Sequence, residues 1–369
     1  VEMAQAASGY GHALMVDYLG CVWVAGGNNK YQLGLKTDGH QSTFLKLPLE
    51  NVKEVSAGNH HSTCLSEEGI AFSFGSNDFG QLGLGKNNQT VSVPTQIPFP
   101  TKILSIVCGG FHTFIISEQL KLFGCGRNDF GQLGLGNSGT SSIKSFVSVP
   151  FNNPKRIYCG GSHTIILDDN NSIWGTGNNE VGQLGLKNFL NRNTFQQVET
   201  INNVKSVSCG WASTLCIIEN GQVFAAGRNG YGELGLGDLD NRASFVEIKG
   251  LPEIKSISCG YHHSFCIDIF GDVWAFGANN SGKLGLGDTK DKNIPVNIPE
   301  LKNIETFSVG GHMASCKDGE GRVWIFGSNE YGQLGLGDFS YRSVPVLMEE
   351  ELCSLFSRIP KQKSARNIP

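Results

Sequence analysis

Several features of membrane, secreted and nucleic-acid-binding proteins are missing from this sequence of 369 residues. No uninterrupted apolar run reaches the roughly 18 residues that a membrane-spanning helix needs. The opening Val1-Glu2-Met3-Ala4 is not the basic and apolar segment of a secretory signal, and the missing methionine at position 1 suggests a piece of a longer chain. The net charge is −4, with Lys and Arg scattered, which disfavours binding to nucleic acid or anionic lipid.

The cysteines lack the pairing pattern of a disulfide scaffold. There are 11, and eight of them fall at two positions of a repeat. If the repeats pack like stacked sheets, copies lie about 10 Å or more apart, which is too far for a disulfide. We therefore expect small buried thiols in a reducing compartment, and an intracellular protein of the cytoplasm or nucleus. The two sets are Cys108, Cys159, Cys209, Cys259 and Cys64, Cys216, Cys266, Cys316.

Glycine, by contrast, is abundant, with 49 residues against a usual share of about 7%. Proline is ordinary at 12, so the excess indicates many turns rather than disorder. Much of the glycine belongs to the tetrapeptide Gln-Leu-Gly-Leu or a close variant, which recurs at steps of 49 to 51 residues. The copies begin at Gln32, Gln81, Gln132, Gln183, Glu233, Lys283 and Gln333.

Two further positions repeat in the same register. A Gly-x-x-His turn precedes each tetrapeptide, although Ser213 and Met313 replace the histidine in two copies. An aromatic residue follows the turn, with glycine three and asparagine five positions later. We interpret the aromatics as core filling between repeats. They are Trp23, Phe72, Phe123, Trp174, Phe224, Trp274 and Trp324.

Each repeat contains four short β-rich runs separated by glycine-rich turns. In the second repeat these runs are Val52–Ala57, His61–Ser66, Ala71–Ser76 and Val93–Pro98. Four strands in about 50 residues describe one propeller blade, and a blade must stack on its neighbours to bury both faces. We therefore predict an all-β, seven-bladed propeller of four-stranded antiparallel blades over residues 1–348.

Residues 349–369 form a tail of different character. The tail begins acidic, ends basic and carries apolar residues at helical spacing. It is predicted to be a short helix or a linker, which caps the ring or leads into a further domain. Its apolar residues are Leu352, Leu355, Phe356 and Ile359.

The repeat resembles that of the regulator-of-chromosome-condensation family. Its motifs are clearest in Cys259–His263, Val273–Asn279 and Gly332–Gly337, and the resemblance extends from residue 1 to about residue 348. The resemblance implies a seven-bladed propeller. It also implies a range of roles, since the family includes an exchange factor for the GTPase Ran, a plant ultraviolet photoreceptor, and propellers attached to ubiquitin ligases, kinases and lipid-binding modules.

Two departures from that family pattern remove two of these roles from those that the resemblance implies. The Ran exchange factor uses an inserted β-wedge and a basic N-terminal arm, whereas here the repeat never exceeds 51 residues and the start is not basic. The photoreceptor needs a cluster of tryptophans in its inner turns, where this chain has only Trp211. The resemblance therefore implies neither Ran exchange nor photoreception.

No repeat position indicates catalysis, a metal or a cofactor. In a His-x-x-Cys pair such as His61 and Cys64, the side chains face opposite sides of a strand and cannot share a zinc. The phosphate-loop-like Gly277–Lys283 is followed by Leu284 instead of Ser or Thr. We interpret the histidines as structural, each bonded to the backbone of its own turn. They are His12, His61, His112, His163 and His263.

The alternation of hairpins places the Gly-x-x-His turns and the Asn and Gln-Leu-Gly loops on one rim of the ring. Aromatic and charged residues exposed together are typical of protein interfaces. We therefore expect this rim to bind a protein partner. The candidate residues are Tyr10, Tyr31, Asp78, Phe79, Phe111, Asp129, Phe130, Trp211, Tyr231, Tyr261, Glu330 and Tyr331.

The function expected from these observations is that of a non-catalytic interaction scaffold, monomeric or part of a larger chain. The alternative is exchange-factor or other regulatory activity on a small GTPase, in which the same rim would open the nucleotide site. A weaker third hypothesis is binding of chromatin or lipid through the basic end of the tail. Nucleic-acid binding by the main body is not expected.

Overall fold

The computed structural model of the protein describes residues 6–85, 89–136 and 141–348, so the predicted tail lies outside the described residues. These residues form seven four-stranded antiparallel sheets, each made of four consecutive strands. The predicted all-β, seven-bladed propeller is confirmed.

The first four sheets contain β1 to β16. Their bounds are β1 Ala6–Ser8, β2 His12–Val16, β3 Val22–Gly26, β4 Gln41–Lys46, β5 Val52–Ala57, β6 His61–Ser66, β7 Ala71–Gly75, β8 Val91–Gln96, β9 Ile103–Cys108, β10 His112–Ser117, β11 Lys121–Arg127, β12 Ser142–Asn152, β13 Pro154–Cys159, β14 His163–Asp168, β15 Ile173–Gly177 and β16 Arg192–Gln197.

The last three sheets contain β17 to β28, and a single 3-10 turn is described, at Asn280–Gly282. Their bounds are β17 Val204–Cys209, β18 Ser213–Ile218, β19 Val223–Gly227, β20 Arg242–Glu247, β21 Ile254–Cys259, β22 His263–Asp268, β23 Val273–Gly277, β24 Lys292–Asn297, β25 Ile304–Val309, β26 Met313–Asp318, β27 Val323–Gly327 and β28 Arg342–Leu347.

The second blade shows where the sequence-based bounds differ from the structure. Its first two strands match, but the third ends at Gly75 and the fourth begins earlier, at Val91. Gly75 has a φ of +104°, and the pairing register shifts there as Gly75 faces Val91. This irregularity lies at the end of the third strand and the start of the fourth. The sequence-based bounds missed it because a register shift leaves no signal in the alternation of apolar residues.

Each blade is covered on both faces by its neighbours, but the extent of burial differs between its strands. Every residue of β6 is buried, whereas the outermost strand of that blade, β8, is only partly covered. The core consists of layers between adjacent blades. One such layer packs Val24 and Leu33 of the first blade against Val55, Cys64 and Phe74.

The glycine-rich loop after the third strand of a blade contacts the next blade. Gly136 N donates to Asn193 O at 2.8 Å, and Gly237 N to Asn293 O at 2.8 Å. Gly185 has a φ of +68°, and a Cβ there would lie 2.4 Å from the Phe245 ring. The Gly-Leu-Gly motif therefore places the loop tightly against the outer strand of the following blade.

The inner turns also bond to one another, and this contact closes the ring. Gly110 N donates to Gly160 O at 3.0 Å, and Gly311 N of the last blade donates to Gly9 O of the first at 2.8 Å. The expected separation of about 10 Å between copies is therefore wrong near the axis, where the blades converge. All ten described cysteines are nevertheless free.

No helix among the described residues has the length and apolar character needed to cross a bilayer.

Candidate interaction rim

The seven inner turns meet around the axis at one rim and form a funnel of about 510 Å³, including its open mouth. Glycines and the thiols Cys108, Cys159, Cys209 and Cys259 line the funnel. Burial raises the pKa of all four thiols, so they stay protonated and unreactive. The funnel therefore offers an uncharged surface with no activated nucleophile.

A stacked aromatic pair, Trp211 on Tyr261, lies across this funnel. Their ring centroids are 4.5 Å apart with an interplanar angle of 19°. Tyr261 also meets Tyr10 at 5.2 Å, edge on, and burial raises the pKa of both phenols. A Cβ on Gly161 would lie 2.5 Å from the Trp211 ring, so the stacked pair requires glycine at this position of the neighbouring turn.

A second aromatic group lies on the second and third blades of the same rim. The Arg127 guanidinium lies over the rings of Phe79, Phe111 and Phe130, at 5.2 to 5.7 Å from the centroids. It also bonds to Asp129 at 2.5 Å. This group is preorganised, because the cation fixes three rings and one carboxylate.

The remaining candidate residues lie in loops of the first, second, fifth and seventh blades. Tyr331 packs over Gly11, Tyr231 lies 5.1 Å from His262, and Asp78 lies 3.8 Å from Lys30. Tyr231, Asp78, Asp129 and Glu330 are exposed, whereas the other candidate aromatics are half-buried. The rim thus presents exposed charges and one exposed tyrosine around packed rings. Those half-buried aromatics are Tyr10, Tyr31, Phe79, Phe111, Phe130, Trp211, Tyr261 and Tyr331.

The repeated histidines bridge adjacent blades, which corrects the expected bond to their own turn. His112 Nε2 lies 3.0 Å from Thr164 Oγ1, and the same bond joins the three other blade pairs between the first and the fifth blade. Burial lowers the pKa of each of these histidines to about 3, so the rings are neutral. The other three bonds are His12–Ser62, His61–Thr113 and His163–Thr214.

The bridge is altered around the seventh blade. His263 is buried, but Ala314 stands where the other partners have a hydroxyl, and neither ring nitrogen of His263 has a hydrogen-bond partner among the described residues. Met313 replaces the histidine of the seventh blade, and the corresponding residue of the first blade is Ala13. Apolar Met313 therefore packs against apolar Ala13, whereas buried His263 has no hydrogen-bond partner among the described residues.

The asparagine of each rim loop, and the glutamine where it is present, form hydrogen bonds within that loop. In the seventh blade, Asn329 Oδ1 accepts from Leu334 N at 2.9 Å and Gln333 Oε1 accepts from Tyr331 N at 2.9 Å. The asparagine bond recurs in all seven blades. These residues are therefore structural and buried.

Two charged residues occupy buried glutamine positions of the repeat. Glu233 Oε1 lies 3.5 Å from His262 Nδ1 and 3.7 Å from Arg228 Nε. Burial lowers the pKa of Lys283 to about 8, and its side chain lies in the interior. The Lys283 side chain is therefore buried within its loop and not exposed at the rim.

Sequence reasoning missed a set of exposed apolar residues at the outer ends of the rim loops. Phe189, Leu239 and Phe339 directly follow an Asn or Asp that is held in place, as Asp338 is by Arg342 at 2.6 Å. A signal was available in the sequence, namely apolar residues one to three positions after the Asn or Asp that ends the glycine-rich loop. The residues are Phe189, Leu190, Leu239, Phe339 and Tyr341.

Within the described ranges, no group of three His, Cys, Asp or Glu side chains is arranged to hold a metal ion.

The chain matches known families along most of its length. The RCC1-like domain matches residues 1–253. The regulator of chromosome condensation (RCC1) repeat matches residues 254–283, 271–316 and 320–354.

Curated relatives share the repeat but are much longer. The human probable E3 ubiquitin-protein ligase HERC6 is 32% identical over 197 residues, covering 50% of this chain and 19% of that protein. The human X-linked retinitis pigmentosa GTPase regulator is 31% identical over 248 residues, covering 50% and 24%. The chain thus spans a quarter or less of the length of these two relatives.

Solved structures share the architecture. Yeast RCC1 (Prp20), in its complex with Kap60, superposes with a TM-score of 0.81 at 20% identity, over 89% of this chain and 84% of that one. Human WBSCR16 gives 0.74 at 23% identity, over 84% and 85%. At this identity the likeness shows the fold alone. With the family matches along its length, the chain belongs to the RCC1-like family.

Proposed function

We propose that the protein is a non-catalytic interaction propeller that binds a protein partner through the rim of the inner turns. The observation that supports this most is the grouping of Asp78, Asp129, Tyr231 and Glu330, all exposed, around packed aromatic rings on one rim. Rigid rings flanked by charges lower the conformational cost of binding. The partner would meet it in the cytoplasm or nucleus.

The test uses residues that are exposed, since changes at Trp211 or Tyr261 would also disturb the funnel. A rim variant carries Asp78→Ser, Glu180→Ser, Tyr231→Ala and Glu330→Ser. Glu180 is the exposed residue of the fourth blade at the repeat position of Asp78 and Glu330. A matched control changes exposed turns at the opposite end of the blades, Tyr18→Ser and Phe270→Ser, which are 54% and 76% exposed.

Partners are identified by affinity capture with the wild type and then purified. Each is measured against the two variants by calorimetry. We expect the rim variant to lose at least about tenfold in affinity and the control to bind as the wild type does. Equal binding by the rim variant, or loss only in the control, would reject the proposal.

A second candidate is regulation of a small GTPase. One relative is named a GTPase regulator, and a solved structure of yeast Prp20p is described with its binding to Gsp1p and histones. The test is release of a fluorescent guanine nucleotide from a panel of small GTPases. Acceleration that the rim variant abolishes would support this candidate, and no acceleration with any GTPase would eliminate it.

A further inference from the structure

Within residues 6–348, the described chain passes directly from one blade to the next at six of the seven blade boundaries, and the seventh boundary lies between the last and the first blade. Strands β25–β28 and β1–β4 form two separate sheets, and no described strand is exchanged between them. The contacts across this boundary include Gly311 N to Gly9 O at 2.8 Å and Gly337 N to Ser42 O at 2.7 Å. Among the described residues, the contacts that hold the ring closed here are non-covalent.

This boundary also lacks the histidine bridge. Four boundaries have a hydrogen bond of 2.9 to 3.0 Å between histidine and hydroxyl. Here Met313 and Ala13 occupy the two positions and form no such bond. The two other boundaries without the bridge are crossed by the described chain, so within residues 6–348 the closing boundary is the one that lacks both restraints.

Methionine is concentrated at this same place. The chain has four methionines, and Met15, Met313 and Met348 pack together in the core layer between the seventh and first blades. They are 4%, 0% and 1% exposed. At the Met15 position the other blades have Cys or Ile, and at the Met348 position they have Leu, Ile or Val. Methionine is the most adaptable of the apolar side chains, and it oxidises readily once exposed.

We propose that the boundary between the seventh and first blades is an oxidation-sensitive latch of the ring. It opens locally more often than the other boundaries and exposes Met15, Met313 and Met348 to peroxide. The resulting sulfoxides oppose reclosure, because a polar sulfoxide oxygen has no place in that apolar layer.

The oxidation step balances with hydrogen peroxide as the oxidant. The thioether sulfur attacks one peroxide oxygen and the O–O bond breaks. That oxygen stays on sulfur as the sulfoxide, and the other leaves as water after proton transfer. Sulfur loses the two electrons that peroxide gains.

A matched control places methionine at another boundary. Ile166 has the same repeat position as Met15, is buried, and belongs to the layer between the third and fourth blades, where His112 and Thr164 form the bridge. Ile166→Met is nearly volume-conserving and should fold. The folded variant is exposed to hydrogen peroxide, and sulfoxide formation at each site is followed by peptide mass spectrometry.

We expect Met15 to oxidise at least about tenfold faster than the methionine introduced by Ile166→Met, since local opening has a lower free energy than global unfolding. Equal rates would mean that both sites are reached only by global unfolding and would overturn the proposal.

A second arm restores the missing bridge. The double variant Ala13→Thr with Met313→His copies the His112 and Thr164 pair at the closing boundary. We expect oxidation of Met15 and Met348 to slow by about fivefold, and Ala13→Thr alone to give no slowing, because Met313 cannot bond to the new hydroxyl. A double variant whose Met15 oxidises as fast as that of the wild type would contradict the latch.

The effect on reclosure is measured by limited proteolysis of the oxidised protein. Cleavage should increase first in the first and seventh blades, and the triple variant Met15→Leu, Met313→Leu and Met348→Leu should suppress that increase. Cleavage that is unchanged by oxidation, or that is spread evenly over the blades, would refute the proposed effect of the sulfoxides.

Discussion

At the scale of single residues, polar and apolar partners change together from blade to blade. His112 Nε2 pairs with the hydroxyl of Thr164, whereas apolar Met313 faces apolar Ala13. The exception is His263, which is buried against Ala314 without a partner. A buried unpaired nitrogen is costly, so this position is one where a single hydroxyl should help.

We predict that Ala314→Ser raises the free energy of unfolding by about 1 kcal/mol, because the new hydroxyl gives His263 Nε2 the partner found at other boundaries. Chemical denaturation of wild type and variant measures the change. Ala13→Ser is the control, since Met313 offers it no bond, and it should give no gain. A gain of the same size in both variants would contradict the explanation.

The tryptophans and the residues six positions before them also change together from blade to blade. Trp174 Nε1 donates to Asp168 Oδ2 at 2.9 Å, and all four tryptophans of this repeat position have such an aspartate six residues earlier. Where the aromatic is phenylalanine, the earlier residue is Ser or Ile. All seven aromatics are half-buried against the core layers, and the four tryptophans are in addition bonded to a turn.

We predict that Trp174→Phe lowers the free energy of unfolding by about 1 to 2 kcal/mol, since Asp168 loses its charged hydrogen bond. Adding Asp168→Ser copies the second blade, and the double variant should cost less than the sum of the two single changes. Thermal unfolding of the four proteins gives the coupling. Simple additivity would show that the bond contributes nothing.

At the scale of elements, the glycines of the rim loops and those of the connections between blades have separable roles. Gly185, in the rim loop of the fourth blade, has a φ of +68° and lies under the Phe245 ring. Gly250, in the connection between the fifth and sixth blades, has a φ of +82° with no atom within 4 Å of a built Cβ. Both positions need a left-handed backbone, but only the first also needs the space.

We predict that Gly250→Ala costs about 1 kcal/mol from backbone strain, and that Gly185→Ala costs about 3 kcal/mol or more because the ring must also move. Urea denaturation of both variants gives the two costs. Equal costs would mean that the contact with Phe245 does not constrain the loop.

At the scale of the whole molecule, the inter-blade histidines make stability depend on pH. Burial holds the pKa of His12, His61, His112 and His163 at about 3 in the folded chain, against 6.5 when exposed. Between these values the unfolded chain binds more protons than the folded chain. Stability must therefore fall as the pH drops from 6.5.

We predict that each of these histidines contributes up to about 1.4 kcal/mol of lost stability per pH unit below 6.5. Denaturation at several pH values between about 7 and 4 measures the slope. Replacing His112 and Thr164 by the Met and Ala of the closing boundary should reduce proton uptake on unfolding by about one. An unchanged slope would exclude this source of the pH dependence.

The sequence by itself determined the number of blades and their strand count, because seven copies of one register leave no other way to bury both faces of each sheet. It also placed the candidate residues on one rim, since hairpins alternate between the ends of a sheet. Tertiary structure decided which of them are exposed: Trp211 and Tyr261 stack on each other and are half-buried, whereas Tyr231 is exposed.

Tertiary structure likewise gave the histidines partners about fifty residues away, in the next blade. The physical reason is that such contacts depend on how closely the blades converge at the axis. That distance follows from the packing of seven sheets at once and is not contained in any single repeat.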